Sequence, residues 1–198
     1  MPKIKICGIR RFEDIKIVNN YLPDYIGFVF AKSKRQITYD EAILLKKNLN
    51  KNIESVGVFV NADKNEVLNL FNNNIINIAQ LHGGESEDYI LDLKDITHNK
   101  LKIIKAIEIS ENIDLDEYNN SDADFLLLDS GKGSGKTFDW DLIKTELKKD
   151  FFIAGGLNKS NICEAIEKFN PYGVDLSSAV ESNGFKDEKK IREIMELI

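Results

Sequence analysis

Apolar runs that read as strands alternate along the whole chain with stretches that read as amphipathic helices, and no other feature narrows the fold as far. The strand-like runs lie at 4–9, 25–30, 55–60, 78–82, 103–109, 125–129, 151–155 and 173–177, and most are rich in β-branched and aromatic residues. Between them, 39–49, 64–71, 160–169 and 187–197 repeat apolar side chains every three or four residues, as a helix with one buried face does. Near-continuous apolar strands are buried on both faces, and strand-helix alternation imposes parallel neighbours joined by right-handed crossovers. Eight strands alternating with eight helices predict a closed (β/α)₈ barrel, the TIM-barrel class of α/β fold, as a single domain over 1–198. At roughly 25 residues per unit the barrel is compact with short loops, since such barrels commonly need about 250 residues. The rival, an open doubly wound sheet, carries a glycine-rich turn after its first strand, where this chain has only Cys7-Gly8.

Charge and composition remove whole classes of partner. The formal net charge is −6 and the basic residues are dispersed, so neither nucleic acid nor an anionic membrane is the expected partner. The N-terminal stretch lacks the pattern of a signal peptide, and no apolar run reaches the roughly 18 to 20 residues that span a bilayer. Two cysteines, Cys7 and Cys163, have no metal-ligand spacing and are too few for a disulfide scaffold. A cytoplasmic protein is expected. Abundant Asn runs against the composition of heat-stable chains, in which association is a common stabiliser, and this favours a monomer.

In a barrel, chemistry is mounted at the C-terminal ends of the strands. Those ends carry Cys7, the loop Lys32-Ser33-Lys34-Arg35, Asn61, His82, Glu108, Asp129, Gly155-Gly156 and Asp175 to Ser178. Cys7 is the first candidate, although a lone cysteine is more commonly a small buried hydrophobe. Asp129 equally suits a loop cap. After the seventh and eighth strands, Ala154-Gly155-Gly156-Leu157-Asn158 and Asp175-Leu176-Ser177-Ser178-Ala179 offer small residues whose backbone N–H groups can approach an anion. In many barrels that pair of loops grips a phosphate, so Gly155, Gly156, Ser177 and Ser178 are the expected phosphate site. Cys163 reads as part of a helix packed on the barrel.

Gly135-Lys136-Thr137 resembles the end of a P-loop, but its spacing does not fit. The first glycine of that motif would fall at position 130, which is Ser, and Thr137-Phe138-Asp139-Trp140 reads as a loop closing into a helix capped near Asp139.

Taken in order, Lys5-Ile6-Cys7-Gly8-Ile9, Gly27-Phe28-Val29-Phe30 with Ser33-Lys34-Arg35, Val56 to Asn61, Gln80-Leu81-His82-Gly83, Leu127-Leu128-Asp129, Gly133 to Trp140, Ala154 to Asn158 and Val174 to Ser178 resemble the phosphoribosylanthranilate isomerase family nearly end to end. The resemblance implies a cofactor-free Amadori rearrangement in tryptophan biosynthesis. A small phosphosugar, N-(5-phosphoribosyl)anthranilate, becomes 1-(2-carboxyphenylamino)-1-deoxyribulose 5-phosphate. It also implies Asp129 as general acid and Cys7 as general base, with Arg35 as anchor for the anthranilate carboxylate. Asp175 would hold a ribulose hydroxyl, backbone amides near Gly156 and Ser178 the phosphate, and His82 would line the aromatic pocket or make a structural hydrogen bond. Lys34 stands where many relatives have proline, and the short segment between Asp129 and Gly133 is expected to act as a lid. A dual-substrate sugar isomerase of the same fold would favour Asp in place of Cys7. A metal-dependent epimerase would need more histidines than His82 and His98. A non-catalytic phosphate-binding module would have no use for both Cys7 and Asp129.

Overall fold

Eight parallel strands close the barrel that the alternation predicts, in a computed structural model that describes residues 1–130, 140–143 and 146–198. They are β1 Lys3–Cys7, β2 Tyr25–Val29, β3 Glu54–Phe59, β4 Ile78–Leu81, β5 Lys102–Glu108, β6 Phe125–Asp129, β7 Phe151–Ile153 and β8 Gly173–Leu176, with β8 pairing back onto β1. Six α-helices lie outside them among the described residues: α1 Phe12–Tyr21, α2 Tyr39–Lys47, α3 Lys64–Asn72, α4 Glu87–Ile96, α5 Ile162–Phe169 and α6 Glu188–Met195. A two-residue-per-strand hairpin, β9 Glu181–Ser182 and β10 Phe185–Lys186, follows β8.

The expectation of eight helices needs correction. Between β5 and β6 the chain forms only a 3₁₀ turn, Glu117–Asn120. The segment 110–122 is dense in Ser, Asn and Asp, whose side chains bond nearby backbone and compete with a helix. Asp114 Oδ1 accepts from the Asp116 N–H at 3.0 Å, and Ser121 Oγ from the Ala123 N–H at 3.1 Å. Before β7 there is a second 3₁₀ turn, Trp140–Leu142. The glycine-rich stretch 131–137, the expected cap at Asp139 and most of the expected lid lie outside the described residues.

Strand alternation sorts side chains into two cores. Ile4 and Ile6 of β1 point outward and share a core with Ile15, Val18, Ile191 and Ile194 of α1 and α6. Inward-facing residues build a second core that includes Tyr25, Val56, Ile78, Ile104, Phe125, Leu127 and Phe152. At the N-terminal end of the barrel, four rings form a floor. Phe152 meets Tyr25 and Tyr172 edge-on at 5.6 and 5.3 Å, Phe125 lies 4.8 Å from Tyr172, and the two tyrosine hydroxyls bond at 2.9 Å. Above that floor the interior is not apolar. Lys5 and Gln80 are buried there, with Asp175 beside them.

Gly173 leaves room for the floor. A Cβ at this position would sit 2.6 Å from a Phe152 ring carbon and 2.9 Å from the Lys3 carbonyl oxygen. Gly173→Ala is expected to cost about 1–3 kcal/mol of unfolding free energy in urea. Gly84→Ala, whose nearest neighbour would be 3.8 Å away, serves as control and should change little.

Candidate active site

The C-terminal ends of the strands surround a cavity of about 940 Å³, and nine residues singled out for function in the sequence line it: Cys7, Arg35, His82, Asp129, Gly155, Gly156, Asp175, Ser177 and Ser178. Glu108, Lys32, Ser33 and Lys34 reach it as well. Asn61 does not line it; this residue has φ of 51° and its side chain accepts the Gly84 N–H at 2.8 Å, a turn-forming role. Cys163 is exposed on α5, which turns Ile162 and Ala165 inward instead.

Cys7 is the last residue of β1, two positions after Lys5, so both side chains enter the barrel. Gly8 follows with φ of 87°, and a Cβ there would lie 2.4 Å from Arg35 Cδ. The cysteine-glycine pair thus lets the arginine stem cross directly over the thiol strand. Burial pushes the Cys7 thiol above its ordinary pKa, opposed by the Lys5 ammonium and reinforced by Asp175, with Lys186 and Arg35 also pulling downward. Lys5 donates to Asp175 Oδ2 at 2.8 Å and to Gln80 Oε1 at 2.6 Å. Burial opposes its charge, but Asp175 and Cys7 beside it outweigh that and raise its pKa. The other oxygen, Asp175 Oδ1, is buried and has no hydrogen-bond partner among the described residues.

Across the mouth, Asp129 ends β6, and its Oδ2 stands 3.3 Å from His82 Nε2. Gln80 contacts the other imidazole nitrogen, Nδ1, at 3.1 Å. The loop that carries His82 is fixed from behind by the buried pair Glu85 and Lys105. Lys105 Nζ donates to the Gly83 and Glu85 carbonyls at 2.9 and 3.0 Å, and Glu85 accepts the Asn61 and Gly83 N–H groups.

The loop after β7 brings its backbone close against the end of β6. Gly155 and Gly156 both take positive φ, 73° and 70°, and a Cβ at Gly155 would collide with the Ser130 backbone nitrogen at 2.5 Å. Ser177 Oγ donates to the Cys7 carbonyl at 3.3 Å, so its hydroxyl braces β1 against β8.

A family model for N-(5′-phosphoribosyl)anthranilate (PRA) isomerase matches residues 4–197. The N-(5′-phosphoribosyl)anthranilate isomerase of Endomicrobium trichonymphae is 48% identical over 204 residues, covering 100% of this chain and 98% of that protein. The chain belongs to the PRA isomerase family. It is therefore an isomerase of tryptophan biosynthesis on a TIM barrel. The crystal structure of phosphoribosyl anthranilate isomerase from Thermotoga maritima superposes with a TM-score of 0.88 at 34% identity, covering 99% of this chain and 98% of that one. A second, a phosphoribosyl anthranilate isomerase in complex with reduced 1-(o-carboxyphenylamino)-1-deoxyribulose 5-phosphate, superposes with a TM-score of 0.85 at 32% identity over 99% and 97%.

One arrangement in this PRA isomerase family member was not foreseen. Arg35 is gripped by Glu181, its Nε donating to Oε1 at 2.7 Å and its Nη2 to Oε2 at 2.8 Å. Lys186 Nζ joins at 2.8 Å to the same carboxylate and at 3.0 Å to the Ser177 carbonyl. The signal was present in the sequence. Asn183-Gly184 is a two-residue hairpin turn with φ of 53° and 79°, and such a turn pairs residues 181 and 186 face to face. The guanidinium fork of Arg35 is thus held by the protein's own carboxylate, with Nη1 outside that grip.

Arg35 and Lys186 bring the Glu181 carboxyl down from 4.5 to about 2, against the upward push of its burial. A carboxyl depressed in the folded state stabilises above its unfolded pKa, and that stabilisation is lost as pH falls through the folded value. Glu181→Gln should be less stable than wild type at neutral pH, with the gap shrinking by about 3 kcal/mol between about pH 5 and pH 2. Urea unfolding across that window checks it; a gap independent of pH would show that the pair contributes nothing as an ion pair.

Proposed function

We propose that this chain isomerises N-(5′-phosphoribosyl)anthranilate with Asp129 as general acid and Cys7 as general base. The observation that carries the reading is the placement of these two groups, on the last residues of β6 and β1, in the wall of one cavity. The reaction oxidises C2 of the sugar and reduces C1 within one molecule, so proton transfers suffice and no cofactor is required. Asp129 protonates the furanose ring oxygen; the C1–O bond breaks, leaving a C4 hydroxyl and an iminium between C1 and the anthranilate nitrogen. Cys7 as thiolate removes the C2 proton, and the electron pair passes through C1 to neutralise the nitrogen as an enolamine. Protonation at C1 with loss of the C2 hydroxyl proton then gives the 2-ketone. General acid and base groups of this kind each contribute about 10² to 10⁴ in rate.

The electrostatics suit that order. In the empty site burial keeps the thiol protonated, and the iminium formed on ring opening adds positive charge next to the existing Lys5, which favours the thiolate when it is needed. Asp175 Oδ1, buried without a donor among the described residues, supports a ribulose hydroxyl as its partner, since an unbonded buried carboxylate oxygen is costly. Lys32, Lys34 and Arg35 at the rim suit a substrate that carries a carboxylate and a phosphate. For the carboxylate, Arg35 would use Nη1 or be exchanged from Glu181; for the phosphate, the backbone of Gly155, Gly156, Ser177 and Ser178 forms the cradle, with His82 beside the aromatic ring. Both cysteines are free, in keeping with a reducing, cytoplasmic setting, and no described helix is long and apolar enough to cross a membrane. Large exposed apolar side chains are scattered over several elements, among them Phe12 on α1, Leu44 on α2, Val60 after β3, Leu91 and Ile96 on α4 and Phe185 on β10, which favours a monomer. A sedimentation mass near 22.5 kDa would support that state, and twice this value would end it.

Loss of anthranilate fluorescence on mixing with freshly made N-(5′-phosphoribosyl)anthranilate, with a metal chelator present, tests the reading. Wild type should turn over, and Cys7→Ala and Asp129→Asn should each lose about 10² to 10⁴-fold in kcat with the fold intact by circular dichroism. Full activity in either variant would remove that residue from the mechanism. Arg35→Ala should mainly raise KM.

A further inference from the structure

A continuous file of polar side chains crosses the barrel interior at the base of the cavity, from Asp175 on β8 through Lys5 on β1 and Gln80 on β4 to His82, which lies beside Asp129 on β6. Its donors and acceptors permit only one arrangement. Lys5 is an ammonium with three donors and no acceptor, so the Gln80 atom 2.6 Å from it must be the amide oxygen. The amide nitrogen of Gln80 therefore faces His82 Nδ1, 3.1 Å away, and can only donate to it. An imidazole nitrogen that accepts a hydrogen bond carries no proton. The proton of neutral His82 then resides on Nε2, the nitrogen 3.3 Å from Asp129 Oδ2.

We propose that Lys5 and Gln80 are positioning residues that lock His82 in the Nε2–H tautomer, so that the imidazole presents a proton to Asp129 and cannot take one from it. Resting on the reading of Asp129 as the acid, this gives the file a catalytic purpose. A carboxylic acid beside a histidine with a free lone pair would pass its proton to the ring and form an ion pair, and the sugar ring oxygen would lose its acid. Here Nε2 is already protonated and the lone pair of Nδ1 is capped by Gln80. Gln80 cannot turn to accept from a protonated Nδ1 without presenting its NH₂ to the Lys5 ammonium, donor against donor, in a site where Gln80 and Lys5 are 2% and 0% exposed. With Oδ2 the carboxylate oxygen 3.3 Å from Nε2, Oδ1 is the oxygen left to carry the acid proton to the substrate. The same ammonium that fixes the acid end through Gln80 holds Asp175 and adjoins Cys7 at the base end. One buried charge thus sets both.

The test is the ¹⁵N spectrum of the full chain with labelled histidine. There are only two histidines, His82 and His98, and His98→Gln assigns the signals. Substrate-free wild type at neutral pH should show His82 with a protonated Nε2 and an unprotonated, hydrogen-bonded Nδ1. Gln80→Glu offers acceptors to both neighbours, and should move His82 to a form protonated at Nδ1 while lowering kcat by at least about 10-fold with KM little changed. Lys5→Met, which frees Gln80 to turn, should give a mixture of tautomers. An imidazolium or an Nδ1–H tautomer in wild type overturns the proposal, as does a wild-type ¹⁵N pattern in Gln80→Glu. The spectrum is read without turnover, so it is independent of the acid assignment. Should Asp129→Asn keep full activity, the acid role fails and with it the purpose given to the lock, while the tautomer stands or falls on the spectrum alone.

Discussion

A lysine ammonium inside the barrel is the constraint around which this site is arranged. Removing such a charge from water costs several kcal/mol unless it is paired and its donors are met. Lys5 has no access to solvent, so Asp175 and Gln80 must stand where they do, on β8 and β4, for β1 to hold it. The aromatic floor below closes the barrel to water from the other end. What would be a structural liability in an apolar core becomes an organising charge for the groups above it: Cys7 two residues along the same strand, His82 two residues beyond Gln80, and through His82, Asp129.

A second charged assembly, Arg35, Glu181 and Lys186, controls the side of the mouth above β1 and β8. Its three members come from a loop after β2 and from the short hairpin after β8, and Arg10 ties the two together by donating to the Lys34 and Gly184 carbonyls at 2.7 and 2.6 Å. Two cations share one carboxylate, so the assembly keeps a net positive charge toward an anionic substrate while Glu181 prevents Arg35 from wandering. Any anion that uses the Nε and Nη2 edge of Arg35 must therefore compete with Glu181 for it.

Much of this was legible in the sequence, for identifiable reasons. Strands buried on both faces leave long apolar runs, and these located all eight to within a few residues. Cys7, His82, Asp129, Asp175 and the two small-residue loops were legible because the end of a barrel strand is a predictable place for chemistry. The connection between β5 and β6 departs from the regular strand-helix alternation because its Asp and Ser side chains bond nearby backbone, and it forms a 3₁₀ turn instead. Lys5 and Gln80 stood in plain view within their motifs. A lone polar residue in an apolar strand does not announce its partners, which lie 75 and 170 residues away in sequence. Glu181 and Lys186 are legible from Asn183-Gly184, a hairpin turn signal that lies beyond the last strand end.

Whether the buried Lys5 charge governs the groups around it is measured directly by the pH dependence of Cys7 alkylation. In a Cys163→Ser background, with modification read on the Cys7 peptide, the substrate-free wild type should react with a midpoint above the ordinary thiol range, because burial outweighs the nearby cations. Lys5→Met, folded by circular dichroism, should move that midpoint higher still, since it removes the strongest opposing charge and leaves Asp175 in place. An unchanged or lower midpoint in Lys5→Met would contradict the claim that this ammonium holds the site together.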